Sequence, residues 1–551
     1  MKRAQLIKEL DTYEEVIFSE DYLLFEKQAI ICQFRGTFFR FENHEKVVTK
    51  SLYPTYLKWE HHQPNESCDV LIQHVYNRNI AHDGFTLEIM KDHQIVVESS
   101  HLRGWDYAQA LLSRLFQQYG TTITLPILKI SHTPSFRMRG IIEGFYGKPW
   151  TKDDRKDCLE FLHETKMNTY MYAPKDDDLQ RHRWRELYDE EMIHHFEELL
   201  ALSEAYRLDF WYMISPGNDI NYTDPADMQV LKDKLKQLID LGITHFGLLL
   251  DDIDYELKGE HKRRFGSSAR AHAFIINDIN AYLKTELAVY SLVACPTEYD
   301  NAVDSLYLEE LNATLDKEVP LFWTGPSTLA RRITTDEVNR MANIYQRDMI
   351  IWDNVPVNDF EQDNQRLFLS PYTNRSKDLN HPDYQVVGIV LNPMAQWELS
   401  KLTMHHASRY MWHTASFQPD NAWWETLMTY TKETSLAESL RIFANHQRNR
   451  HTHTEREIEV EISLNHQNTE ALTKVLTELE GAVQELETWN YLPFKEQVSP
   501  WFSRVHEEMN LWDAMMANDL EQTAEIKAKL DKGDHRIGSN IPLTYYERYV
   551  K

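Results

Sequence analysis

Phe246-Gly247-Leu248-Leu249-Leu250-Asp251-Asp252-Ile253-Asp254 is the stretch that decides the fold. An unbroken apolar run stops abruptly at two adjacent carboxylates. A parallel strand buried on both faces reads this way, as a continuous apolar run. Outward from it the rhythm recurs. Short apolar runs lie at 137–146, 168–173, 209–215, 245–250, 289–294, 320–324, 349–352 and 385–391. Helical patterns fall between them, as at 228–241 and 269–285. The unit from 136 to 420 has the usual extent of an eight-stranded (β/α) barrel. No glycine-rich phosphate loop is present, which disfavours a doubly wound nucleotide-binding sheet.

Residues 1–133 mix strand and helix signals. A strand is expected at 68–75, a hairpin over 84–98, and a helix over 105–116 that ends before Gly120. Residues 421–551 are acidic and helical in pattern. One helix opens at Ala422, an amphipathic one covers 469–489, and another is expected over 498–528. The expected fold class is therefore α/β: a (β/α)8 TIM-type barrel (136–420), preceded by a small α/β domain (1–133) and followed by an α-helical bundle (421–551).

Composition narrows the function. The 551 residues are 42% hydrophobic and 26% charged, ordinary globular usage. Lys+Arg 59 against Asp+Glu 86 gives −27, so no nucleic-acid partner is expected. The start carries no secretory signal, and no apolar stretch approaches membrane-spanning length, so no membrane partner is expected. The four cysteines, Cys32, Cys68, Cys158 and Cys295, have neither zinc nor redox spacing. Reduced thiols in a cytoplasmic protein are the simplest reading.

Nearly every run ends in a polar or aromatic cluster: Lys175-Asp176-Asp177, Ser215, Asp251-Asp252, Thr297-Glu298-Tyr299, Thr324, Asp353-Asn354 and Asn392. Barrel enzymes place their chemistry at these strand ends. Neighbouring residues at a strand end point in different directions. Asp251 and Asp252 can thus serve two functions, one on a substrate substituent and one on the leaving-group oxygen. Two other readings stay open. Acidic runs bind divalent metals through oxygen, and Asp252-Ile253-Asp254-Tyr255-Glu256 resembles the alternating carboxylates of family-18 chitinases, with Glu256 as the acid. The glycine-dense stretch from Arg139 to Trp150, with Gly140, Gly144 and Gly147, permits close approach of backbone to a ligand.

Taken together, the residues 139–150, Tyr172-Ala173-Pro174-Lys175-Asp176-Asp177, the residues 249–254, Cys295-Pro296-Thr297-Glu298-Tyr299, Trp352-Asp353-Asn354 with Asp359, and Leu391-Asn392-Pro393 strongly resemble family-84 glycoside hydrolases. These are β-N-acetylglucosaminidases, protein O-GlcNAcases among them, and the hyaluronidase name also occurs in the family. The resemblance covers the whole barrel in order. It implies a retaining exo-β-N-acetylglucosaminidase acting by substrate-assisted catalysis, an exception to the scheme with an enzyme nucleophile. On that resemblance Asp251 orients and polarises the 2-acetamido N–H, and the acetamido oxygen attacks the anomeric carbon to give an oxazoline. Asp252 is the general acid, then the base. Tyr299 and Trp352 surround the acetamido group. Gly144 (by its backbone), Lys175, Asn354, Asp359 and Asn392 fix the sugar. No metal and no organic cofactor are implied. The implied partner is a glycan or glycoprotein carrying β-linked N-acetylglucosamine.

Other residues have plainer readings. His245 is expected to be a satisfied core histidine. Trp323 is open between packing and substrate contact. Trp184 with Arg181, His182, Arg183 and Arg185 reads as a helix surface that could border the cleft. Two competing functions remain at this stage: a carbohydrate-binding pseudoenzyme on the same barrel, and an interaction scaffold using the acidic helical region.

Overall fold

The computed structural model describes residues 10, 12–36, 54–61, 67–254, 256–360, 365–448 and 455–551. Its centre is a closed parallel barrel. The strands are β9 (Met138–Glu143), β10 (Thr169–Tyr172), β11 (Asp209–Ile214), β12 (His245–Leu249), β13 (Ser291–Cys295), β14 (Leu321–Trp323), β15 (Met349–Asp353) and β16 (Val386–Leu391). All eight apolar runs are strands. The last, β16, closes on β9, with Leu391 opposite Ile141.

Two layers of side chains account for the apolar runs. Alternate residues fill the barrel interior, among them Ile142, Met171, Trp211, Leu249, Phe322 and Val390. The others pack against the outer helices, among them Ile141, Tyr170, Leu248 and Ile389. Gly247 is small for an interior reason: a Cβ there would lie 1.9 Å from Met213 Sδ. The expected helices at 228–241 and 269–285 are Pro225–Ile239 and Ser268–Glu286. Among the described residues, the connection from β15 to β16 holds only a single 3-10 turn, Pro382–Tyr384. That connection instead reaches the C-terminal helices: Leu367, Phe368 and Leu369 share a core with Trp501 and Phe502.

The barrel is preceded by a sheet of eight strands, β1 (Glu15–Phe25), β2 (Ile30–Arg35), β3 (Leu57–His61), β4 (Val70–Tyr76), β5 (Phe85–Ile89), β6 (Gln94–Ser99), β7 (Gln117–Tyr119) and β8 (Thr122–His132). The order is β1-β8-β5-β6-β4-β2-β3, with β7 on β8. The expected hairpin is the antiparallel pair β5 and β6. The helix Leu102–Leu115 carries Trp105, Leu111 and Leu112 on its buried face. Buried Asp83 joins this sheet to the barrel. It accepts from Arg103 Nε at 2.8 Å, Arg139 Nη2 at 3.2 Å and Asn168 Nδ2 at 2.9 Å. Burial opposes its charge, but His82 and the two guanidinium groups hold its carboxyl well below the usual range.

The C-terminal region is helical. Pro419–Thr431 starts three residues before the expected Ala422, because Pro419 takes the first helical position, and it crosses the boundary expected at 420/421. The amphipathic helix is Thr469–Thr488. The single helix expected over 498–528 is two, Leu492–Met516 and Leu520–Lys532. Asn518 breaks it with a φ of 55°, and Asp519 caps the second by accepting from Gln522 N. No helix among the described residues is long and apolar enough to cross a membrane.

Candidate active site

The C-terminal ends of the barrel strands surround a cavity of about 370 Å³. Gly144, Lys175, Asp251, Asp252, Tyr299, Trp352, Asn354, Asp359 and Asn392 all line it. The sequence therefore named residues that the fold gathers from six separate strand ends.

Lys175, at the end of β10, is buried, and its Nζ donates to Asp251 Oδ2 at 2.5 Å. Burial opposes its charge, but the Asp251 carboxylate outweighs this and raises the Lys175 pKa. The other oxygen, Asp251 Oδ1, is buried and has no hydrogen-bond partner. An unpaired buried acceptor is costly; here it stands at the cavity and is available to a ligand donor.

Asp252 differs in every respect. It is exposed, and its backbone is left-handed, with φ 51°. That conformation is strained for a residue with a Cβ. It turns the carboxylate between two phenols. Tyr299 Oη donates to Oδ1 at 2.8 Å, and Tyr146 Oη donates to Oδ2 at 2.9 Å. Burial, then the Asp252 charge, pushes the Tyr299 hydroxyl far up, so it stays a donor.

A hydrogen-bond chain fixes the opposite wall. Gly144 N donates to Asn392 Oδ1 at 3.3 Å, Asn392 Nδ2 to Asn354 Oδ1 at 3.0 Å, and Asn354 Nδ2 to the Thr328 carbonyl at 2.8 Å. Asp359 accepts from Tyr146 N at 2.8 Å. Burial raises its pKa. Gly144 has no room for a side chain, since a Cβ would lie 2.5 Å from Trp352 Cζ2. The Trp352 ring is thus pressed against the backbone of the first strand end, and Cys295 lies in the same lining.

The sequence reading missed several lining residues, chiefly Tyr146, Thr328, Val357 and Phe360. Tyr146 had a signal, its place inside the glycine-dense stretch. The helix-surface reading of 181–185 is corrected. Residues 179–186 form turns, not a helix. Trp184 is fully buried and donates to Asp219 Oδ1 at 2.8 Å. Arg181 is buried and donates to Oη of the cavity residue Tyr146 at 2.7 Å. Trp323 is resolved as packing: it is buried, and its Nε1 donates to the Asn301 carbonyl at 2.6 Å. His245 pairs with Thr244 Oγ1 at 2.9 Å and packs on Trp211, and burial lowers its pKa.

The chitinase-like register does not fit. Asp254 and Glu256 are exposed and bond each other locally, Glu256 N donating to Asp254 Oδ1, and neither lines the cavity. The metal alternative at Asp251, Asp252 and Asp254 fares no better, since their carboxylates do not converge as a group of metal ligands. Among the described residues the one such convergence is His82, Asp83 and His101, at the junction of sheet and barrel, where Asp83 is already occupied by two arginines.

Residues 139–445 match the family described as beta-N-acetylglucosaminidase. The protein O-GlcNAcases of Mus musculus and Rattus norvegicus are each 36% identical over 272 residues, which is 48% of this chain and 29% of theirs. The chain thus spans under a third of the length of these relatives. Among solved structures, a mutant O-GlcNAc hydrolase of Thermobaculum terrenum superposes with a TM-score of 0.67 at 26% identity, covering 75% of this chain and 94% of that one. CpGH84B superposes with a TM-score of 0.77 over 98% of this chain and 99% of its own; at 22% identity this speaks to the fold alone.

Proposed function

The chain belongs to the beta-N-acetylglucosaminidase family, and from that membership we propose that it is a retaining exo-β-N-acetylglucosaminidase of O-GlcNAcase-like type, working by substrate-assisted catalysis. One observation carries the reading. Asp251 has one oxygen engaged by Lys175 and the other buried and unpartnered, while the adjacent Asp252 sits exposed between two phenols. Two neighbouring carboxylates in unlike surroundings suit two different tasks.

In the proposed reaction Asp251 Oδ1 accepts the 2-acetamido N–H. The bond turns the acetamido oxygen toward the anomeric carbon and increases its electron density. Lys175 holds the other oxygen of Asp251 in place. Asp252 donates its proton to the departing oxygen as the carbonyl oxygen closes on the anomeric carbon, giving an oxazoline; the N–H proton passes to Asp251 as the ring closes and returns when it opens. Asp252, now a carboxylate, takes a proton from water, which opens the ring with net retention. Trp352, Tyr299 and Cys295 form the wall that excludes water from the acetamido arm. The Gly144–Asn392–Asn354 chain and Asp359 hold the ring hydroxyls. The cavity has room for one sugar, which supports removal of a terminal residue.

The proposed substrate is a glycan or glycoprotein bearing terminal β-linked N-acetylglucosamine. A cytoplasmic setting is part of the proposal, supported by four cysteines that are all free. The test is a series of aryl N-acetylglucosaminides with zero to three fluorines on the acetyl group. Fluorine withdraws density from the attacking oxygen, so the rate should fall with each one. A flat series, or a covalent sugar–Asp ester found by mass spectrometry, would overturn the mechanism. Failure to hydrolyse any of these glycosides, with binding retained, would favour the pseudoenzyme.

A further inference from the structure

The structure assigns Arg181 as a positioning residue for Asp252, acting through Tyr146 and through the Asp252 backbone. This inference rests on the proposed hydrolase reading and goes beyond it, since the expected set of site residues does not contain Arg181.

The argument begins with where the side chain is. Arg181 lies in the turns that follow β10, eight positions beyond Ala173, yet only 6% of it is exposed. It pairs with no carboxylate among the described residues. A buried guanidinium without a carboxylate partner is unusual, because its desolvation is offset by whatever acceptors remain. Its acceptors here both belong to the catalytic loop system. Nη1 donates to Tyr146 Oη at 2.7 Å, and Nη2 donates to the Asp252 carbonyl at 3.4 Å. The guanidinium carbon also lies 5.3 Å from the centre of the Tyr146 ring.

Two consequences follow from donor counting. A phenol has one proton and can both accept and donate. Since arginine can only donate, it occupies an acceptor site of Tyr146 Oη. The single Tyr146 proton is then directed to Asp252 Oδ2, 2.9 Å away. Arg181, Tyr146 and Asp252 form a polarised chain, and each bond strengthens the next. Second, Nη2 holds the carbonyl of the one cavity residue whose backbone is left-handed. That contact keeps Asp252 turned between Tyr146 and Tyr299.

Both contacts aim the Asp252 carboxyl group at one place in the cavity. Proton donation to the leaving oxygen is thus the step that Arg181 serves. The charged and titratable groups around Asp252 are Tyr146 from the loop after β9, Lys175 and Arg181 from that after β10, its neighbour Asp251, Cys295 and Tyr299 at β13, and Asp359 after β15. Of these, Arg181 alone contacts both Tyr146 Oη and the Asp252 backbone.

The experiment compares Arg181→Met, Arg181→Lys and Tyr146→Phe with the parent chain on N-acetylglucosaminides of graded leaving-group ability, with thermal unfolding followed alongside. For Arg181→Met, kcat should fall about tenfold or more on the poorest leaving group and change little on a dinitrophenyl glycoside, with KM within about twofold, because an activated leaving group needs little protonation. Arg181→Lys should recover part of the loss. The double variant Arg181→Met with Tyr146→Phe should lose no more than the worse single one, since both break one chain. Equal losses on all leaving groups, additive losses in the double variant, or no recovery in Arg181→Lys would overturn the role while leaving the hydrolase reading intact. A parent chain inactive on every glycoside would overturn both.

Discussion

Lys175 Nζ and Asp251 Oδ2 meet at 2.5 Å, both side chains almost wholly buried. The ammonium neutralises the carboxylate directly. It satisfies one oxygen and leaves the other for a ligand. Removing one partner of a buried pair strands the remaining charge, at a cost of about 3–5 kcal/mol. Lys175→Met should therefore lower both the melting temperature and activity. Lys175→Met with Asp251→Asn should regain the melting temperature but not activity. Recovery of turnover in the double variant would contradict the assignment of Asp251.

Asp252→Asn removes the proposed proton donor while keeping the size of the side chain. Hydrolysis of poor leaving groups should fall about 100-fold or more, and activated aryl glycosides should suffer far less. Steady-state rates on the two substrate types decide the matter. Equal losses would argue against Asp252 as the acid.

Gly144→Ala places a methyl group against the rigid Trp352 ring. One of the two walls has to give by several tenths of an ångström. A displacement approaching 1 Å can cost about 100-fold in rate. The expected outcome is loss of kcat/KM with a modest change in melting temperature. A fully active variant would show that the contact does not set the cavity.

Asp359 carries the pH prediction. Burial raises its pKa, although the Tyr146 N–H pulls in the other direction. For a carboxyl group this means protonation begins at a higher pH than usual as the solution is acidified. The acid limb of kcat/KM should accordingly include Asp359 and move to lower pH in Asp359→Asn, on a reduced plateau. The same shift favours the folded state at low pH and disfavours it as pH rises through the raised value. An unchanged acid limb would exclude Asp359 from it.

Activity should survive exhaustive chelation, because three of the four oxygens of the acid pair already accept from Lys175, Tyr146 and Tyr299, and the fourth, Asp251 Oδ1, is assigned to the acetamido N–H. Loss with EDTA that a divalent ion restores would reinstate a metal at the acid run.

The barrel was legible because each strand is buried on both faces, so apolar continuity itself marks it; His245–Leu249 and Val386–Leu391 are the plainest cases. The cavity residues were legible because they follow those strands directly. Arg181 was not, since its position depends on turns with no periodic pattern, and a run of charges beside a tryptophan looks like solvated surface. Nor was the helix break at Asn518. Apolar spacing continues from Trp512 and Met515 to Leu520, and only the left-handed Asn518 with the capping Asp519 interrupts it. The lack of an α-helix before β16 among the described residues was equally hidden, because the packing there comes from Trp501 and Phe502, more than a hundred residues away.

The bond from Gly144 to Asn392 crosses the seam where β16 meets β9, joining residues 248 positions apart. One side of the pocket is made early by a ribosome and the other only after the barrel sequence is nearly complete. A growing chain consequently has Asp251 and Asp252 long before it has a pocket. Until β16 docks, Gly144 has no Asn392 to hold and the ring of strand ends stays open. On the proposed function, turnover has to wait for that docking, so a first hydrolysed glycoside would report that the barrel has closed.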